Sequence, residues 1–85
     1  KLTEAFAQVM RSRRIAEGLT QADVAMRSGL HPNFVSRLEL AKSQPTLESL
    51  FAVARALSTT AVSLLEETES LASQVRRAPR PRGPQ

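Results

Sequence analysis

Four polar side chains in this 85-residue chain stand where their chemistry can be used together: Gln21, Asn33, Ser36 and Arg37. The last three are spaced by three and four residues, so a helix sets them on one face. That helix starts at Pro32, where a missing N–H costs nothing, and His31 caps it. A rigid face of amide, hydroxyl and guanidinium groups suits the base edges of a DNA major groove. Gln21 begins the preceding helix, where its backbone N–H and the helix dipole favour an anion such as a phosphate. Lys42 and Ser43 follow the recognition face and read as phosphate contacts, with a plain surface loop as the competing reading. Enzyme chemistry has no support. The chain has no cysteine and only one histidine, His31. It also lacks a phosphate-cradling glycine loop and any paired carboxylates converging on a pocket. Neither a metal site nor a cofactor is therefore expected.

These residues need elements to position them. Thr20 to Glu39, TQADVAMRSGLHPNFVSRLE, reads as two short helices joined by a tight turn. Thr20 caps the first of them, Gly29 supplies a positive φ at the bend, and Leu30 plugs the corner. Val24, Ala25, Leu30, Val35 and Leu38 point inward. Before this unit, Leu2, Phe6, Val9 and Met10 recur at helical spacing, giving a helix from Leu2 to about Glu17. Arg11, Arg13 and Arg14 suit its C-terminal dipole, and Gly18 ends it. After it comes a loop to Pro45, and then a helix capped by Thr46 with the stripe Leu47, Leu50, Phe51, Ala54 and Leu57. Thr60 caps a fifth helix, about 61–77, carrying Val62, Leu64, Leu65, Leu71 and Val75. The expected fold is all-α: five helices in one compact domain over 1–75, with a helix-turn-helix at about 20–40. Residues 76–85, rich in arginine and proline, form a basic tail outside the helices.

Charge agrees with a polyanionic partner. Residues 1–40 carry six basic against four acidic side chains, 41–75 two against four, and 76–85 four arginines and no acid. A basic first half and a basic tail therefore flank an acidic middle. No apolar run approaches the roughly 20 residues that span a bilayer, so no membrane partner is expected. The absence of cysteine fits a reducing cytoplasm. The chain begins at Lys1 rather than Met, and the expectation is a trimmed or partly ordered protein. Leu64 should complete the core. Leu65, Leu71 and Val75 exceed what a small monomer buries and suggest a homodimer contact; fraying after Glu69 is the competing reading. The tail reads equally as a DNA-tracking segment or as a linker to a missing C-terminal domain.

The run GLTQADVAMRSGLHPNFVSRLELAKSQPTLESLFAVARALS resembles the Cro/C1-type (XRE) helix-turn-helix family of phage repressors and bacterial regulators. The resemblance rests on GLTQ, VA followed by SG, VSRLE and PTLESL, in that order and spacing. It implies a lambda-repressor-like domain whose third helix lies in the major groove of double-stranded DNA, with dimers on palindromic operators. It matches Pro32, Asn33 and Arg37 to base-reading positions, and Gln21 to a phosphate contact that braces the third helix. It also matches Arg14 and Glu39 to an internal salt bridge. By chemistry, Arg37 would pair with O6 and N7 of a guanine, Asn33 with an adenine, and Pro32 would touch a thymine methyl. Ser36 serves a base or a phosphate. His31, a cap, borders this set, and Phe34 is a shoulder of the core. The family usually has glycine after the third helix, where this chain has Leu40-Ala41, so the loop is expected to take another path.

The leading expectation is a sequence-specific, homodimeric transcription regulator, a repressor acting in the cytoplasm on the bacterial or phage nucleoid. The alternative is a protein-interaction module, such as an antitoxin, whose DNA binding is autoregulatory.

Overall fold

The computed structural model describes residues 1–76, with side-chain surroundings as far as Gln74. It contains five helices: α1 (Leu2–Ala16), α2 (Gln21–Ser28), α3 (Pro32–Glu39), α4 (Leu47–Ala56) and α5 (Ala61–Arg76). Their starts are fixed by side chains that satisfy otherwise orphaned N–H groups. Thr20 Oγ1 accepts from the Asp23 N–H at 3.0 Å, and the Asp23 carboxylate accepts from the Thr20 N–H at 2.9 Å. The Thr20 backbone N–H first, and its side-chain hydroxyl second, hold the Asp23 carboxyl below its ordinary pKa. His31 Nδ1 accepts from the Asn33 N–H at 3.1 Å, Thr46 and Ser49 form a second reciprocal cap, and Thr60 Oγ1 accepts from the Ser63 N–H at 3.1 Å.

Three helix ends close in the same way, with a left-handed residue and paired bonds back to the last turn. Gly18 does this after α1 at φ 71°, Ala41 after α3 at φ 58°, and Ser58 after α4 at φ 59°. After α3, the Ala41 N–H donates to the Leu38 carbonyl at 3.2 Å and the Lys42 N–H to the Arg37 carbonyl at 2.9 Å. The different loop path expected for Leu40-Ala41 is therefore corrected. The turn keeps a left-handed residue, and alanine accepts a strain of about 1–2 kcal/mol there because two backbone bonds and the buried Leu38 hold the chain.

Met10, Val24, Val35, Leu38, Val53, Leu57 and Leu64 are fully buried at the centre. α1 packs on α5 and α3, α2 on α4 and α3, and α4 on α5. Three residues of the expected apolar stripes lie outside this core. Leu2 is 61% exposed, Leu47 72% and Phe51 50%. Leu2 and Leu47 lie in the first turns of their helices, and Phe51 faces the outer flank of α4. There it lines a groove with Leu30 and Phe34. Leu30 and Phe34 are partly buried against the core. Arg13 of α1 makes an ion pair with Glu67 of α5, fastening the first and last helices. The hydrogen bond from Arg13 to Glu67 raises the guanidinium pKa, against a smaller opposing effect of burial.

Candidate nucleic-acid interface

The orientation of α3 is set by a charged latch at its base. Arg14 offers one edge of its guanidinium to Glu39, with Nε 2.7 Å from Oε2 and Nη2 3.0 Å from Oε1. Its remaining nitrogen, Nη1, donates to the Leu19 carbonyl at 2.9 Å. Gln21 Nε2 completes the set, donating to Glu39 Oε1 at 3.1 Å. One carboxylate thus joins the end of α1, the start of α2 and the end of α3. Only 14% of the Arg14 side chain and 3% of the Glu39 side chain remain exposed. The hydrogen bond to Glu39 raises the Arg14 pKa, although burial alone would lower it. Gln21 is consequently half-buried and pointed by Glu39 rather than fully outward, while its backbone N–H still sits at the start of α2.

With the buried side of α3 fixed by Val35 and Leu38, the opposite side faces solvent. His31, Pro32, Asn33 and Arg37 are exposed, and Ser36 is half-buried on the same flank. The α3–α4 loop returns over the end of this face. Lys42 is exposed and Ser43 half-buried. The Arg37 side chain does not extend freely into solvent as expected. Its Nε donates to Ser43 Oγ at 2.8 Å and its Nη2 to the Lys42 carbonyl at 3.0 Å. The sequence pattern gave no sign of this, because the turn at Ala41 is what brings residues 42 and 43 back beside Arg37. Gln44 then ties the loop to α1, donating to Thr3 Oγ1 at 3.3 Å.

The residues read as a dimer contact separate in the structure. Leu65 is 45% exposed on α5, and Val62, one turn earlier, is 65% exposed. Leu71 instead packs partly buried against the monomer core, which corrects its reading as surplus apolar surface. Val75 lies beyond the described side chains; of the basic tail expected over 76–85, Arg76 is the last residue of α5 and the rest lies outside the described residues. Leu65 shares a groove of about 430 Å³ with Leu2, Phe6, Leu47 and Leu50. Among the described residues no single helix is long and apolar enough to cross a membrane.

Comparison with known proteins places this geometry. The helix-turn-helix family profile matches residues 10–64. The HTH-type transcriptional regulator y4dJ of Sinorhizobium fredii is 36% identical over 64 residues, which cover 75% of this chain and 78% of that protein. A second regulator from the same organism, y4dL, is 40% identical over 55 residues, 65% of this chain but 28% of that protein. The match to y4dL thus spans less than a third of that relative. Among solved structures, the clp gene regulator ClgR of Corynebacterium glutamicum superimposes with a TM-score of 0.80 at 31% identity, over 91% of this chain and 83% of ClgR. The restriction-modification controller protein C.Esp1396I, solved as a tetramer in complex with its natural 35 base-pair operator, gives a TM-score of 0.75 at 26% identity, over 81% of this chain and 91% of that one.

Proposed function

Because this chain belongs to the Cro/C1-type (XRE) helix-turn-helix family of DNA-binding transcriptional regulators, we propose that it is a repressor that binds a palindromic operator as a homodimer, with α3 in the major groove. The observation that carries this reading is the solvent-facing row Pro32, Asn33 and Arg37 on a helix whose other side is anchored by buried Val35 and Leu38. Asn33 and Arg37 read base edges, and Pro32 supplies an apolar contact to a thymine methyl. Gln21, Lys42 and Ser43 sit on phosphates, and His31 and Ser36 border the contact. Repression follows from occupancy of the site, in the cytoplasm.

For the dimer, Leu65 with Val62 forms the central apolar contact, continued by the groove that Leu47 and Leu2 line. The assembly of the C.Esp1396I controller on its operator supports an oligomeric mode of binding. A selection of duplexes from a random pool with the 85-residue chain tests the proposal. It should return an inverted repeat with half-sites about 34 Å apart, bound by two chains. The logarithm of the affinity for that duplex should fall steeply and linearly with the logarithm of salt concentration. A pool that enriches no sequence, or binding indifferent to salt, would overturn it.

A further inference from the structure

We propose that Ser43 is a positioning residue for Arg37, turning the α3–α4 loop into a clamp that fixes which edge of the guanidinium meets the DNA. The inference rests on the reading that Arg37 contacts a base. A guanidinium has two usable forks. One is formed by Nε with one hydrogen of the neighbouring Nη2, and the other by the two terminal nitrogens. Here the first fork is taken by the chain itself: Nε donates to Ser43 Oγ at 2.8 Å and Nη2 to the Lys42 carbonyl at 3.0 Å.

Both acceptors are held in place independently of Arg37's side chain. The Lys42 N–H is bonded to the Arg37 backbone carbonyl at 2.9 Å, across the left-handed turn at Ala41. Gln44 tethers the far side of the loop to Thr3 at 3.3 Å. The terminal fork, Nη1 with the second hydrogen of Nη2, is therefore the adjacent edge, which the loop does not take. That fork matches the O6 and N7 acceptors of a guanine, spaced for two parallel N–H bonds. An arginine already held at one edge gives up less side-chain freedom when it binds. Ser43 uses only its oxygen here, so its hydroxyl hydrogen is left to donate to a phosphate. The same residue then links backbone docking to base reading.

The test uses the duplex selected by the wild-type chain, its single-base-pair substitutions, and a copy with 7-deazaguanine, which lacks the N7 acceptor. Arg37→Ala first identifies the base pair whose discrimination it relaxes. Ser43→Ala should reduce discrimination at that same pair, and against 7-deazaguanine, by about 2- to 10-fold. Discrimination at the other pairs should stay unchanged, and Ser43→Thr, which keeps the acceptor oxygen, should retain it. Equal weakening on every duplex would reduce Ser43 to a phosphate contact, and no change at all would remove it from recognition. Either result sinks the clamp while leaving Arg37 as a reader. If Arg37→Ala relaxes no base pair, the base-reading role itself fails and the clamp fails with it.

Discussion

Arg14→Ala should lower folding stability by about 3–5 kcal/mol, because it leaves the Glu39 carboxylate buried without its cation. The size follows from burial. The Glu39 side chain is only 3% exposed and takes two of its three described hydrogen bonds from Arg14. The Arg13–Glu67 pair makes the contrast. Its side chains are 33% and 41% exposed, and pairs so open to water are worth about 0–1 kcal/mol. For a domain of this size the Arg14 loss should shift Tm by at least about 12 °C, read by thermal unfolding with circular dichroism. The double variant Arg14→Met with Glu39→Leu should recover much of it, since no charge is then stranded. A fall of less than about 1 kcal/mol for the single variant would show that the latch is solvated and does not set the lean of α3.

Arg37→Ala should weaken binding to the selected operator by about 1–3 kcal/mol and leave binding to random duplex nearly unchanged. The guanidinium carries both a charge and a paired donor geometry, and the two make different predictions. A charge that only neutralises a phosphate contributes equally to every sequence and appears in the salt slope. A fork on a guanine contributes only where the guanine is present. Equal losses on operator and random DNA, measured by fluorescence anisotropy, would contradict the base-reading role.

How much of this was legible beforehand depends on how local the cause is. The helix starts at Thr20, His31, Thr46 and Thr60 are set by side chains within three residues, so residue type alone exposes them. The buried sides of α2 and α3 follow from the spacing of Val24, Ala25, Val35 and Leu38. The family resemblance supplied the Arg14–Glu39 pairing, which no periodicity reveals across 25 residues. Periodicity misled at Leu2, Leu47 and Phe51, because an apolar residue at the right phase is buried only if another element lies above it. Leu71 differs in the opposite sense: it packs partly buried against the monomer core, because α5 lies along α1. Arg13–Glu67 and the clamp on Arg37 were invisible for one reason. Each depends on where a distant element or a left-handed turn delivers its partner.

On the proposed reading, nucleic acid docks on the outer face of α3. An amide chemical-shift titration of the labelled chain with the selected duplex tests it most directly. The largest changes should fall on Gln21, His31, residues 33–37, and Lys42 and Ser43, with Phe51 and Arg55 of α4 little affected. Changes concentrated along the Phe51 flank of α4, with Asn33 and Arg37 unmoved at saturation, would contradict it.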